Sequence, residues 1–484
     1  MKQVYIFIIL ILSFSNLNSQ ILIGQELFGT VAQERFGSRV DISADGQTIA
    51  VKKGVSLSSG DIGLKQIVLY SLVNNIWMQK GDAIDINITS VPSTLLAIPI
   101  ALSDDGSTIV FSNPIDININ RVQIFEFQGN TWIQKGNDIL DGLNVPNNSI
   151  AINANGTTVA IGSTNTSSSG YAHVYRYESN SWVQIGSEIS GEFNNDLLGW
   201  AVDLSDSGDI FAVSAIGHNN GSGFGQVQVF ENQNNNWVKI GDDIDGEFPS
   251  NSGYDIKLSS DGNIVSIGIP LNSIPNSSVG GIKVFQNNSG NWEQIEDIIN
   301  GSNPNFGFGL QLAMSNDGSI IISGDHRADE NGSDSGKVSI FQFQNNEWVE
   351  VGVILGDFSS QFFGISTEIS ADGTVLVIGA EGIGPNLDEP GSVRVYDLSS
   401  LLVLSVNEFN TIPFKLYPNP AKDQFTIQLE NSSDLKNVTI YNNLGQQVLS
   451  SKNYILDTSK LASGLYVVEL ETTKGKGSKN LIID

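Results

Sequence analysis

Between Phe36 and Tyr396 the chain alternates short apolar runs of Val, Ile, Leu and Phe with clusters of Gly, Asn, Asp and Ser, and no stretch holds a helical period. Runs of this length with turn punctuation predict strands. The runs recur as a unit, and such a period decides the architecture before any single element does. A turn of the form Ser-x-Asp-Gly, or a close variant, ends at Gly46, Gly106, Gly156, Gly208, Gly262, Gly318 and Gly373, and tryptophan keeps the same beat at Trp77, Trp132, Trp182, Trp237, Trp292 and Trp348. The fifth unit reads Gly253-Tyr-Asp-Ile-Lys-Leu-Ser, the turn at Gly262, Ile264-Val-Ser-Ile-Gly, a long loop, Gly281-Ile-Lys-Val-Phe, then Trp292-Glu-Gln-Ile-Glu-Asp-Ile. Four antiparallel strands per unit predict the blade of a β-propeller.

The ends of the array are complementary. After each tryptophan most units continue x-x-x-Gly-x-x-Ile, and Ile23-Gly24-Gln25-Glu26-Leu27 reproduces that fourth strand with no unit in front of it. The seventh unit stops after Ser392-Val-Arg-Val-Tyr, without a tryptophan strand. The pattern predicts an all-β protein: a seven-bladed β-propeller over residues 20–400, closed by an N-terminal strand within residues 20–30 that hides a sheet edge.

Outside the array, Lys2, the apolar run Val4–Leu12 and the polar stretch Ser13–Gln20 predict a signal peptide over residues 1–19. No later run is long enough for a transmembrane helix. The absence of cysteine removes disulfides, thiolate metal sites, cysteine nucleophiles and a lipoprotein anchor. The chain carries 24 Lys+Arg against 52 Asp+Glu, a net charge of -28, which argues against nucleic acid as a partner. The acid is unevenly placed. Residues 412–484 are close to neutral, so the excess belongs to the repeats.

Two resemblances sharpen the reading. Phe36-Gly-Ser-Arg-Val-Asp-Ile-Ser before the turn, Val159-Ala-Ile-Gly162 after it, and third strands such as Gly170-Tyr-Ala-His-Val-Tyr resemble FG-GAP-type repeats. The Asp-x-Asp-x-Asp-Gly calcium loop that such repeats often carry is absent from these turns. After a linker at 401–411, residues 412–484 carry Phe414-Lys-Leu-Tyr-Pro-Asn-Pro-Ala, then Val438-Thr-Ile-Tyr-Asn-Asn-Leu-Gly, then Leu461-Ala-Ser-Gly-Leu-Tyr-Val-Val. These resemble the C-terminal sorting domain of type IX secretion. That resemblance implies the type IX machinery as partner and a secreted or outer-membrane-surface location. Short strands split by Pro418, Pro420, Gly445 and Gly464 predict a small β-sandwich there.

Candidate chemistry is sparse. The three histidines, His173, His218 and His326, lack paired metal spacing. The repeated tryptophans occupy one strand position, which fits packing between blades better than sugar platforms. Long loops between second and third strands carry the variation, where binding usually resides. One of them gathers Asp325, Asp329, Asn331 and Asp334, oxygen donors of the kind calcium takes, and is the candidate metal loop. The expected function is a non-enzymatic binding or adhesion module for an extracellular glycan or protein. The alternative is a secreted glycan-active hydrolase or lyase, which two carboxylates converging on the channel would favour.

Overall fold

A computed structural model describes residues 21–54, 65–86, 98–113, 121–140, 148–164, 168–218, 223–247, 250–271, 273–274, 277–302, 307–382, 389–402, 414–429, 435–442, 447–472 and 475–483. The expected signal peptide at 1–19 and nearly all of the expected linker at 401–411 lie outside these residues. The chain divides into two compact units, Met1–Leu402 and Val403–Asp484. All regular structure among the described residues is β.

In the first unit the turn motif sets the strand pairs. Ser43 Oγ donates to Asp45 Oδ1 at 2.6 Å, Asp45 Oδ1 accepts from Gln47 N at 2.9 Å, and Ser43 Oγ accepts from Thr48 N at 2.9 Å. The same bonds recur around Asp105, Asp261, Asp317 and Asp372, while Asn153 and Ser205 lead the variant turns. Gly46 closes the turn at φ 68°, a conformation that a Cβ would strain. The aspartates of the repeated turns therefore serve the hairpin.

The first sheet runs Arg39–Ile42, Thr48–Gly54, Lys65–Val73 and Ile76–Gln79, each antiparallel to the next. Five more sheets repeat this order, opening at Ile100–Leu102, Asn148–Ile152, Leu198–Leu204, Ile256–Leu258 and Gln311–Met314. The last begins Phe363–Ile369, Val375–Ala380 and Ser392–Asp397, and its outer strand comes from the chain's start: Leu22 pairs with Tyr396 and Leu27 with Val393.

Each opening strand packs beside the next sheet's opening strand, and Phe363–Ile369 packs beside Arg39–Ile42. Backbone bonds follow the same circuit. Ala44 N donates to Asp104 O, Asp104 N to Ala154 O, Ala154 N to Asp206 O and Asp206 N to Ser260 O; Ser260 N then donates to Asn316 O, Asn316 N to Ala371 O, and Ala371 N back to Ala44 O, all at 2.8–3.3 Å. The apolar core is divided accordingly. Second strands such as Thr48–Gly54 and Ile320–Asp325 are buried on both faces because they lie between neighbouring sheets. One cluster joins Ile67 and Leu69 to Ile109 and Phe111; another joins Val377 and Val395 to Ile49, Val51, Trp77 and Leu27. A chain too long for one core thus builds several small ones, each between two sheets.

The tryptophans tie sheet to sheet. Trp132 Nε1 donates to Lys80 O at 2.8 Å, Trp182 to Lys135 O at 2.7 Å, Trp237 to Ile185 O at 3.0 Å and Trp292 to Ile240 O at 2.9 Å. Trp77 makes the same bond to Ile23 O at 2.9 Å, so the N-terminal segment meets the next sheet as the fourth strands that meet Trp132, Trp182, Trp237 and Trp292 do.

In the second unit, Phe414–Tyr417, Gln424–Leu429 and Ile455–Asp457 form one sheet, and Leu435–Tyr441, Gln447–Ser451, Gly464–Thr472 and Gly475–Ile483 form another. Phe414, Phe425 and Leu456 from the first share one core with Val438, Ile440, Val468 and Leu481 from the second. The Tyr-Pro-Asn-Pro motif fastens the last strand: Asn419 Oδ1 accepts from Ile482 N at 2.8 Å and Ala421 N donates to Ile482 O at 2.7 Å.

Candidate functional site

The opening strands place two sets of side chains on the axis of the first unit. Five residues before the turn glycine stand Asp41, Ala101, Ala151, Asp203, Lys257, Ala313 and Glu368, and seven before it stand Arg39, Pro99, Ser149, Ala201, Asp255, Gln311 and Ser366. Strand alternation sends both sets to one face. All of them but Ala313, which is buried in the apolar core, line a cavity of about 390 Å³, with Trp200, Tyr254, Asp104, Asp206 and Asn316 also in its wall.

Lys257 is its electrostatic centre. Its ammonium contacts Glu368 across the cavity. Burial works against the charge of Lys257, but Glu368, Asp255 and Asp203 more than offset it and hold the lysine protonated. The carboxylates respond oppositely. Burial pushes Asp41 and Asp203 up to about 6 even though Lys257 pulls them down, and burial with the charge of Asp41 and Asp255 also raises Glu368.

Three of these acids are spent on the scaffold. Asp41 accepts from Ile42 N at 2.7 Å and, across the sheet boundary, from Leu102 N at 2.6 Å. Asp203 bridges Leu204 N and Leu258 N at 2.9 and 2.7 Å, and Asp255 bridges Ile256 N and Leu312 N at 3.0 and 2.8 Å. Each carboxylate clamps its own opening strand to the next. Of the four acids at these two strand positions, Glu368 is the one whose oxygen lies on another side chain, that of Lys257.

The candidate metal loop is put to other uses. Asp325 ends a second strand and is buried, and burial raises its carboxyl to about 6, while its Oδ1 accepts from Arg327 N at 3.3 Å. Asp329 Oδ1 accepts from Asp334 N at 2.8 Å, and Asn331 Nδ2 donates to Gly356 O at 2.7 Å. Among the described residues no group of three or more His, Asp or Glu side chains is placed to hold a metal ion. The side chain of Asp334 accepts from Ser333 Oγ at 3.4 Å, so all four candidate residues make bonds at their own loop.

The histidines also stand apart. Nε2 of His173 lies 3.1 Å from Glu188, Nδ1 of His218 lies 3.6 Å from buried Asp196, and His326 packs on Phe362. The residues that sequence reasoning missed are those of the channel. Their signal was present: the position five before the turn glycine is small in three repeats and charged in four.

Comparison with curated proteins found no match. Solved structures similar to the chain include a putative 6-phosphogluconolactonase from Bacteroides fragilis, at 14% identity and TM-score 0.48 over 70% of this chain and 89% of that one. The β-propeller domain of the Trilobed protease from Pyrococcus furiosus is similar at 12% identity and TM-score 0.45, over 76% and 94% of the two chains. The Dos1 propeller is similar at 12% identity and TM-score 0.46, over 78% and 95%. Residues 415–484 match the secretion system C-terminal sorting domain. The C-terminal unit of this β-propeller protein is therefore a type IX sorting domain, and the chain is exported to the cell surface or the extracellular space.

Proposed function

We propose that residues 20–400 form a seven-bladed propeller of FG-GAP-type repeats, closed by the N-terminal strand, and that it acts as a non-enzymatic binding or adhesion module at or beyond the cell surface. The sorting domain behind it would be a small β-sandwich. The observation that carries the binding reading is the engagement of the channel acids. Asp41, Asp203 and Asp255 each accept two backbone N–H bonds, three of them across sheet boundaries, so they build the scaffold rather than wait for a substrate. The backbone circuit from Ala44 through Ala371 supports ring closure. An array of extracellular glycans and proteins probed with the exported chain tests the reading. Retention of at least one ligand class without turnover is expected; turnover of an array glycan would overturn it.

One observation favours a second reading, a secreted glycan-active hydrolase or lyase. Glu368 faces the channel beside a cation, and its carboxyl is raised toward the protonated form by burial first and by Asp41 and Asp255 after it. A raised carboxyl is what a general acid requires. Glycan turnover that disappears in Glu368→Gln would establish this reading in place of the first.

A further inference from the structure

Trp200 is the tryptophan that does not keep the beat of the repeats. Trp77, Trp132, Trp182, Trp237 and Trp292 each give the indole N–H to a carbonyl of the neighbouring sheet. Trp200 stands instead eight residues before a turn glycine, where the other repeats have Ser38, Ile98, Asn148, Tyr254, Leu310 and Ile365. At this position Trp200 and Tyr254 reach the wall of the axial cavity. They belong to neighbouring sheets, and both are only partly buried. Their ring centroids lie 5.1 Å apart with the planes inclined at 57°, so the two aromatics make a corner in that wall.

The same cavity presents polar groups of both signs. Arg39 gives an N–H to Ser38 O at 2.9 Å, Gln311 gives its amide N–H to Leu310 O at 2.9 Å, and the ammonium of Lys257 contacts Glu368. A guanidinium, an ammonium and an amide each carry more hydrogen-bonding positions than these bonds use. A cationic ligand would meet Arg39 and Lys257, and an anionic one Glu368 and Asp255, so neither sign suits the cavity as a whole. A planar aromatic ligand is held between parallel rings, which a corner at 57° does not offer. A pyranose fits both features. Its C–H bonds lie against the negative face of an aromatic ring. Its hydroxyls donate and accept in turn, so they serve carboxylate, amide, guanidinium and ammonium alike. At about 390 Å³ the cavity falls near the lower end of the range for small-ligand sites, about 300–1,000 Å³, which suits the end of a glycan chain rather than its middle.

We propose that the axial cavity binds the uncharged terminal sugar of a glycan, stacked in the corner of Trp200 and Tyr254 and hydrogen-bonded by Arg39, Lys257, Gln311 and Glu368. Asp41, Asp203 and Asp255 keep their backbone bonds and hold the strands that carry these groups. The inference names the ligand class of the binding module and rests on that reading.

The array of extracellular glycans and proteins, probed with the full chain and its variants, tests it. The retained glycans are expected to share an uncharged terminal sugar, and that sugar free in solution should compete for the chain. Trp200→Ala and Tyr254→Ala should each weaken retention roughly tenfold or more. Phe28→Ala should not, because it removes an exposed ring that lies outside the cavity. Trp200 also rests on a core cluster, so if Trp200→Ala fails to fold by circular dichroism, Tyr254→Ala and Gln311→Ala carry the expectation. Added salt should leave retention nearly unchanged, because the ligand carries no net charge. Retention of proteins or charged glycans alone, failure of the free sugar to compete, retention undiminished in Tyr254→Ala, or equal loss in Phe28→Ala would overturn the site while leaving the binding module standing. No retention of any ligand would remove the site and the binding module together.

Discussion

At the scale of single residues, the repeat shows what each position is for by showing where it fails. The glycine four residues after each tryptophan sits beneath the next sheet's indole: a Cβ on Gly81, Gly136 or Gly186 would lie 2.5–3.1 Å from Cδ1 of Trp132, Trp182 or Trp237. One repeat has Glu296 there, held at φ 57°, and Trp348, the indole that should meet it, has a buried Nε1 without a hydrogen-bond partner among the described residues. A side chain in the left-handed region and a lost indole bond both cost free energy. Glu296→Gly should therefore raise stability by about 1 to 2 kcal/mol, and Gly186→Ala should lower it by a similar amount. Urea denaturation of both variants checks this; an unchanged midpoint for Glu296→Gly would remove the steric account of Trp348. The turn aspartates were legible from sequence because their partners lie two residues away. The channel acids were not, since Asp41 and Asp203 read as ordinary polar positions of half-exposed strands until the sheets are set around an axis. Asp325 and Asp329 were picked out by sequence proximity alone, and in the fold backbone N–H groups of Arg327 and Asp334 donate to their oxygens.

Individual strands divide into those the chain supplies in order and the one it supplies from its far end. Ile23–Phe28 was recognisable because it copies a fourth-strand motif, and it makes that strand's contacts. Ile23 N donates to Val395 O at 2.8 Å, Gln25 exchanges bonds with the backbone of Trp77, and Leu27 is buried with Val393 and Val395. Arg394 adds an ion pair to Glu26 at 2.8 Å. Deleting residues 20–30 should leave Ser392–Asp397 as a bare edge and deprive Trp77 of both its indole acceptor and its cover. The melting temperature should fall by 10 °C or more, from a loss of several kcal/mol, with aggregation on heating through the exposed edge. A melt matching that of the parent chain would show that this strand does not hold the ring. What sequence could not supply at this scale was the order of the clamps between sheets, because Asp41 to Leu102 and Asp255 to Leu312 join residues more than fifty positions apart.

For the whole molecule, division of the core among sheet boundaries leaves a polar, partly charged axis, and its titration governs how the fold responds to pH. Burial raises Asp41, Asp104 and Asp203 to about 6, above the ordinary carboxyl value near 4, so the folded chain keeps protons that the unfolded chain releases. Stability then falls as pH rises from about 4 to 6. Lys52 and Lys65 act in the opposite direction higher up: with folded values of about 7 and 8 they lose protons that the unfolded chain retains, and stability recovers as pH rises toward 10. The turn aspartates set the lower limit. Hydrogen bonds to Asp105 and Asp372 outweigh burial and hold them below 3.8, so their contribution is present at pH 4 and lost as acid titrates them. Urea denaturation at pH 4.5, 6.5 and 9 should accordingly find the least stability at the middle value, and a steady rise from 4.5 to 6.5 would contradict the buried-carboxyl account. The second unit stands outside this balance, with its own core of Phe414, Phe425 and Val468 and its own tie between Asn419 and Ile482. Ending the chain at Asn410 should thus leave the propeller's melting transition unchanged while removing the export address, and the truncated protein should be retained in the cell envelope. Immunodetection in medium and envelope fractions decides it: truncated protein appearing outside at the parent's level would mean that the C-terminal unit does not direct its export.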